Sequence, residues 1–269
     1  MTARPISDGR TAIVTGGLSG IGQAIALALL AAGHRVAVGS RDLESRARQE
    51  AFGALTSAAL AGGGEVRAAE LDLRDAASIA RFVAGCEARF GPAEILVNAS
   101  GITAEQPVVG HSDKLWSDII DTNLTGAFRM IRAILPAMIA RGWGRIINIG
   151  STAATVGWRD NPAYCASKAG LLGLTRCVAD EGAASGVTCV MVSPTWVDTP
   201  MMESDLRQVL EREGKGRTLA EARAEIAQNN PQGRIIQPQE IAAMVCFLAT
   251  SAVPGLTGEN IQITGGAHW

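Results

Sequence analysis

Reactive and metal-binding residues are scarce in this chain of 269 residues. It has only three histidines, one tyrosine and five cysteines. No two cysteines form a C-x-x-C pair, and an odd number at this low density fits a reducing compartment better than a disulfide framework. Neither the histidines nor the cysteines have the spacing of a metal site, so the sequence predicts no bound metal.

The chain also lacks a large excess of either positive or negative charge, and it has no long apolar run. The net charge is only −2, which does not favour a nucleic-acid or anionic membrane surface. The longest apolar helix candidate, residues 21–32, is too short to cross a bilayer. Residues 1–10 lack the basic and apolar regions of a signal peptide. The sequence therefore predicts a cytoplasmic protein with neither a membrane nor a nucleic acid as its partner.

Apolar strands that alternate with helices make up most of the chain. Strands without a polar face, separated by helices, are typical of a parallel sheet covered on both sides. We find no linker or repeat, and predict a single α/β domain over residues 1–269. The expected fold is a Rossmann-like, doubly wound parallel sheet of about seven strands with helices on both faces. The predicted strands are 11–14, 35–38, 65–71, 95–97, 145–149, 188–192 and 259–264.

The turn after the first predicted strand is rich in glycine. Its spacing, G-x-x-x-G-x-G, is close to the dinucleotide fingerprint G-x-G-x-x-G. Glycine lets the backbone approach a ligand closely, and the following helix presents free N–H groups to a phosphate. We therefore predict a phosphate-binding turn. Its cofactor-binding residues are Gly16, Leu18, Ser19, Gly20 and Ile21.

The end of the second predicted strand indicates which cofactor is preferred. An NAD enzyme usually has an acidic residue there for the ribose 2′-hydroxyl, but none occurs in residues 38–40. Ser40 and Arg41 suit a 2′-phosphate instead, which favours NADP(H), with NAD(H) as the alternative if Arg41 is only a solvated charge. Asp72 and Leu73, after the third strand, are expected beside the adenine ring.

The single tyrosine precedes a lysine by four residues, so on a helix Tyr164 and Lys168 share a face. A nearby ammonium lowers the pKa of a phenol, which would give a proton donor usable near pH 7.

Ser151 follows the fifth strand, at the sheet edge where such folds bind ligands. Asn123 lies in a helix predicted over 112–141, with Pro136 as a candidate bend. Asn123 either bends that helix and holds a water or is exposed.

Six motifs in a fixed order identify a family. They are Thr15-Gly16-x-x-x-Gly20-Ile21-Gly22, Asn98-x-x-Gly101, Asn123, Ser151, Tyr164-x-x-x-Lys168 and Pro194-x-x-Val197-x-Thr199. Over nearly its whole length the chain resembles the short-chain dehydrogenases/reductases. The stretch 231–240 is similar to that of 3-oxoacyl reductases and polyketide ketoreductases.

The resemblance implies NADPH-dependent reduction of a ketone to a secondary alcohol, with a 3-oxoacyl thioester or a free aryl or cyclic ketone as substrate. Tyr164 would donate the proton, Lys168 would hold the nicotinamide ribose, Ser151 would polarise the carbonyl and Asn123 would position a relay water. It also implies a homotetramer. The further cofactor-binding residues that it implies are Asn98, Ala99, Gly101, Pro194, Thr195, Val197 and Thr199. Two alternatives remain: an NAD-dependent secondary alcohol dehydrogenase that works in the oxidative direction, and a non-catalytic NADP-binding sensor or scaffold.

Two positions depart from the family pattern, since Ala99 replaces a second asparagine and Thr195 replaces a glycine. We expect local changes in hydrogen bonding and pocket shape there, without loss of the cofactor.

The substrate region is expected after the sixth strand, where residues 195–232 form either a lid insertion over the substrate or an ordinary solvated face. Ala153, Trp158 and Trp196 are the predicted substrate-binding residues. The tryptophans either line an apolar pocket for a bulky ketone or pack loop bases or a subunit contact. His268 and Trp269 are expected at a subunit interface.

Overall fold

A parallel sheet of seven strands forms the centre of the computed structural model, which describes residues 9–214 and 216–267. The spatial order is β3-β2-β1-β4-β5-β6-β7, and every neighbouring pair is parallel. The predicted parallel α/β sheet of about seven strands is therefore confirmed. The strands are β1 (Thr11–Thr15), β2 (Arg35–Ser40), β3 (Glu65–Glu70), β4 (Ile95–Asn98), β5 (Gly144–Ile149), β6 (Val187–Pro194) and β7 (Asn260–Ile263).

Helices cover both faces of this sheet, as the doubly wound fold requires. Successive strand residues point to opposite faces, so Ile13 joins the core under α3 and α5, whereas Val14 joins the core under α1 and α9. The helices are α1 (Gly20–Ala31), α2 (Arg46–Gly62), α3 (Ala76–Phe90), α4 (Asp113–Ile120), α5 (Gly126–Arg141), α6 (Pro162–Ala183), α7 (Pro200–Glu213), α8 (Leu219–Asn229) and α9 (Pro238–Leu248).

The strand order reverses between β1 and β4, which are neighbours in space but not in sequence. Thr15 at the end of β1 is in register with Gly39 on one side and Asn98 on the other. The loops after these strands therefore diverge in opposite directions and leave a crevice at the carboxyl edge, where open α/β sheets bind ligands.

The helix predicted over 112–141 is interrupted. A π-helical turn, Asp121–Thr125, separates α4 from α5, whereas α5 continues through Pro136. The irregularity thus lies around Asn123, not at the proline. Asn123 is only 2% exposed, so the alternative of an exposed asparagine is wrong. Single π-helical turns within α-helices occur frequently at functional sites.

Some expectations concern residues outside the described ranges. The expected subunit contact of His268 and Trp269 lies there, as does most of segment 1–10. Within residues 9–214 and 216–267, no helix has both the length and the apolar character needed to cross a membrane.

Candidate active site

A cleft of about 550 Å³ opens at the carboxyl edge of the sheet, above the reversal of strand order. It extends from the glycine-rich turn before α1, past the ends of β2, β4 and β5, to the inner face of α7. Of the predicted site residues, all but three line this cleft. The three exceptions are Leu18, Asn98 and Asn123.

The glycine-rich turn is built for close backbone approach. Gly16 has a φ of +68°, and a Cβ on Gly22 would come within 2.4 Å of the carbonyl oxygen of Gly16. A side chain at either position would therefore disrupt the turn. No side chain caps the N-terminus of α1, so its first N–H groups are available to an anion from the cleft. The side chain of Leu18 instead lies in the core.

Basic residues gather at the outer end of this turn. Arg41 and Arg48 line the cleft with Ser40, and Arg41 forms no hydrogen bond or ion pair within the described part of the chain. Arg48 donates to the carbonyl oxygen of Leu18 at 2.7 Å, which holds its guanidinium against the turn. Sequence reasoning missed Arg48 because its place depends on how α2 packs, and no motif marks it.

Asp72 also lines this end of the cleft. Arg74 binds its carboxylate at 3.0 Å and holds the pKa of Asp72 below its usual value, with a smaller contribution from Arg41. Asp72 is therefore an anion with its own partner.

Tyr164 and Lys168 project from the same face of α6, which begins with Pro162 in its first turn. Lys168 is 4% exposed, and its Nζ donates to the carbonyl oxygen of Ile149 at 2.8 Å. The same Nζ lies 5.5 Å from the centroid of the Tyr164 ring. The Ser151 side chain, from the end of β5, is close enough to hydrogen-bond the tyrosine and lower its pKa. Three of the four predicted catalytic residues thus meet in one place.

The pKa values of this group are set mainly by burial. Burial raises the pKa of Tyr164 to about 12, Ser151 opposes the shift, and the charge of Asp205 adds to it. Burial also lowers the pKa of Lys168 to about 8. The expectation that Lys168 lowers the pKa of Tyr164 is therefore wrong for the protein without cofactor, because desolvation of the phenolate is the larger effect. Tyr164 is protonated at neutral pH, the form that donates a proton.

Asn123 reaches the site indirectly. Its Oδ1 accepts from the N–H of Ile102 at 2.8 Å, and its Nδ2 donates to the carbonyl oxygen of the same residue at 2.9 Å. A Cβ on Gly101 would lie 3.6 Å from Asn123 Oδ1 and 3.7 Å from Lys168 Nζ. Asn123 therefore fixes the loop after β4, and Gly101 lies between the asparagine and the lysine.

Asn98 belongs to an internal chain of hydrogen bonds. Its Nδ2 donates to Asn148 Oδ1 at 2.8 Å, and Asn148 donates in turn to Thr175 Oγ1 at 2.9 Å. These bonds tie β4, β5 and α6 together below the cleft. The backbone N–H groups of Ala99 and Ser100 both donate to Thr15 Oγ1. These bonds hold the loop in which Ala99 replaces the family's second asparagine.

The substrate end of the cleft lies between two loops and α7. Ala153, Trp158 and Trp196 line it. The two indole rings meet edge to face, with centroids 6.2 Å apart and an interplanar angle of 88°.

Sequence reasoning missed further residues of this end, and six of them are polar, charged or on the cleft face of α7. Those on α7 occur at the spacing i, i+3, i+4 and i+7 of one helical face, which is the signal that could have found them. The six are Glu105, Arg159, Met201, Ser204, Asp205 and Gln208.

Comparison with known proteins shows the family of the chain. Residues 10–209 match the model of the short chain dehydrogenase family. The chain is 36% identical to 3-oxoacyl-acyl-carrier-protein reductase of Salmonella typhimurium, covering 97% of this chain and 98% of that protein. It is 37% identical to the putative ketoacyl reductase of the monensin polyketide synthase of Streptomyces virginiae, over 97% of each.

Solved structures give the same result. A variant of actinorhodin polyketide ketoreductase, crystallised with NADPH, superimposes with a TM-score of 0.89 at 36% identity, covering 96% of this chain and 97% of that one. Levodione reductase also has a TM-score of 0.89, at 28% identity over 97% and 98% of the two chains. The chain belongs to the short-chain dehydrogenase family.

Proposed function

We propose that the protein reduces a ketone to a secondary alcohol with NADPH. The observation that carries this proposal is the meeting of Ser151, Tyr164 and buried Lys168 in a cleft that also contains a glycine-rich phosphate turn. Relatives named as reductases and a structural neighbour crystallised with NADPH support it. The substrate is a small carbonyl compound, or its alcohol in the reverse direction.

The residues present fit this cofactor. Gly16, Gly20 and the uncapped N-terminus of α1 would hold the pyrophosphate, while Arg41 and Arg48 would hold the 2′-phosphate. The remaining residues proposed to contact the cofactor are Ser19, Ile21, Ser40, Asp72, Leu73, Ala99, Gly101, Pro194, Thr195, Val197 and Thr199. Leu18 and Asn98 would not contact the cofactor with their side chains. They would support the cofactor-binding loops, Leu18 through packing in the core and Asn98 through its hydrogen bond to Asn148.

A bound nicotinamide would supply the hydride, and the chain would supply geometry and a proton. As negative charge builds on the carbonyl oxygen, the hydroxyls of Ser151 and Tyr164 stabilise it. Tyr164 then transfers its proton to that oxygen. The ammonium of Lys168, held by Ile149, favours the phenolate left behind, and Asn123 keeps the adjoining loop in place.

The residues 195–232 act as a lid over the substrate. In support, α7 contributes one face to the cleft, and α7 and α8 are joined by a small apolar cluster of Met202, Leu206 and Ala222, separate from the two main cores. A segment with its own small core can move as a unit while the sheet stays rigid.

The protein acts as a homotetramer in the cytoplasm. Trp116 on α4 and Phe128 on α5 are each 41% exposed, and apolar side chains of this size on a surface are often covered by another subunit. All five cysteines are free, which suits a reducing compartment. Sedimentation of the purified protein tests the assembly, and a monomer at micromolar concentration would contradict it.

Consumption of NADPH tests the proposed activity directly. The purified protein is assayed with a 3-oxoacyl thioester and, in parallel, with free aryl and cyclic ketones. If the wild type reduces thioesters or free ketones and Tyr164→Phe does not, the result supports the proposed reductase activity. Tight NADPH binding without turnover of any ketone, in both the wild type and the variant, would instead indicate a non-catalytic sensor.

A further inference from the structure

The substrate end of the cleft contains a carboxylate that has no counter-ion among the described residues. Asp205 lies on the face of α7 that lines the cleft, with Ser204 and Gln208 beside it. The side chain is half-buried. Its carboxylate forms no hydrogen bond or ion pair with any of the residues 9–214 and 216–267.

The neighbouring charges do not neutralise it. Glu105, the acid whose charge acts on Asp205, is itself ion-paired with Arg212. Arg159 also lines the cleft, but its side chain is 95% exposed and lies 3.9 Å from the carboxylate of Asp160. Glu105 is thus neutralised by Arg212, and Arg159 by Asp160. No cation among the described residues pairs with Asp205, whose negative charge is close enough to raise the pKa of Tyr164.

Burial of this carboxylate is unfavourable in the free protein. Desolvation, followed by the charge of Glu105, raises the pKa of Asp205 to about 7. A carboxylate held in such a place is stabilised by any cation that enters the cleft.

Aromatic rings lie at the same end. Trp196 packs against the cluster that contains Met202 and Leu206, on the helix that carries Asp205, and it contacts the ring of Trp158 edge to face. Indole rings attract cations, most strongly alkylated ammonium groups that lose little hydration on burial. A carboxylate that lines the same cleft as two indoles is a combination suited to an organic cation.

We infer that the protein acts on ketones that carry a positively charged nitrogen, with Asp205 as the residue that selects them and Trp158 and Trp196 as the walls around the charged group. This inference rests on the proposed ketone reduction and names its substrate class. The carbonyl would face Ser151 and Tyr164, and the cation would face α7.

Two ketones of the same shape test the inference, the N,N-dimethyl-4-oxopiperidinium ion and its neutral carbon analogue 4,4-dimethylcyclohexanone. At about pH 8, above the pKa of Asp205, we expect the wild type to prefer the cation by about tenfold or more in kcat/KM. In Asp205→Asn the ratio of the two kcat/KM values should fall to about one. Because the readout is a ratio, any effect of Asp205 on Tyr164 cancels.

Two further variants sharpen the test. Glu203→Gln removes a carboxylate from the same helix that does not line the cleft and is paired with Arg207, so the ratio should stay that of the wild type. Gln208→Glu adds a carboxylate to the cleft face and should raise the ratio. A cation preference that is absent in the wild type, or that survives in Asp205→Asn, overturns the inference.

The two proposals fail in different ways. If the neutral ketone consumes NADPH and the cation is not favoured, ketone reduction stands and the assigned substrate class is wrong. If neither ketone is reduced, calorimetric binding of both compounds to the protein–NADPH complex still measures the preference. Equal affinity would then refute the role of Asp205, and tighter binding of the cation that is lost in Asp205→Asn would support it.

Discussion

Lys168 Nζ donates to the carbonyl oxygen of Ile149 at a distance of 2.8 Å, so a cation that is 4% exposed is tied to the last residue of β5. This bond places the ammonium beside Tyr164 but does not remove the cost of burying a charge. The lowered pKa of Lys168 is the measure of that cost.

Lys168→Met should stabilise the fold while it abolishes reduction. Because burial lowers the pKa of Lys168 from 10.5 to about 8, the folded wild type bears a penalty below about pH 8. That penalty is relieved as the pH rises towards 10.5, because the unfolded chain binds more protons in this window. At about 1.36 kcal/mol per pKa unit, a fall from 10.5 to about 8 corresponds to a gain in the variant near pH 7 on the order of 3 kcal/mol. Urea unfolding at several pH values measures it, and a less stable variant at pH 7 would contradict the expectation.

Tyr164→Phe should lower kcat by about 10²–10⁴-fold, because it removes the proton donor. Binding of NADPH, followed by its fluorescence, should change little, since the ring and its packing are kept. Equal losses of binding and turnover would show that the hydroxyl has a structural role instead.

Arg41→Ala should weaken NADPH binding by about tenfold, the loss of one charge-assisted contact of about 1.5 kcal/mol, and leave NADH binding unchanged. Arg46→Ala, nearby on α2 but absent from the cleft lining, is the matched control. If the two cofactors are affected alike, the preference for NADP(H) is wrong, and an NAD-linked alcohol dehydrogenase becomes the better description.

Trp158→Ala and Trp196→Ala should lower kcat/KM for bulky or aromatic ketones about tenfold more than for acetone, because a large substrate loses the apolar wall that it contacts. The comparison is made in each variant with both ketones. Losses of equal size would mean that the indoles pack the loops and do not touch the substrate.

Gly101→Ala should reduce turnover more than stability. The added methyl group would meet Asn123 Oδ1 and Lys168 Nζ at ordinary contact distances, so the fold tolerates it. It would, however, occupy the space between two groups that the proposed proton transfer uses. A wild-type kcat with unchanged thermal stability would show that this space is not needed.

Much of the site follows from local rules. Residues four apart on a helix share a face, which is why the positions of Tyr164 and Lys168 could be predicted. The carboxyl ends of parallel strands meet at one edge, which is why Ser151 joins them. In both cases the period of the secondary structure is enough, without knowledge of how distant segments pack.

The missed residues depend on packing between distant segments. The spacing on α7 marks a helical face that contains Asp205, but it does not show that this face lines the cleft, because that depends on how α7 packs in the fold. The helix interruption at 121–125 likewise occurs where Asn123 bonds to Ile102, a residue from a different element. The shift in the pKa of Tyr164 was misjudged because burial cannot be measured along a sequence.

Chemistry and selectivity occupy different parts of this molecule. The residues proposed for proton transfer lie on α6 and just after β5, whereas one face of α7 lines the proposed substrate end of the cleft and is joined to α8 by its own small cluster. Substitutions on that face that keep the charge of Asp205, which acts on Tyr164, can therefore accumulate with little effect on the reaction. Such a division lets a lineage change what it reduces by altering a single helix, so new substrates can be acquired in small, individually viable steps.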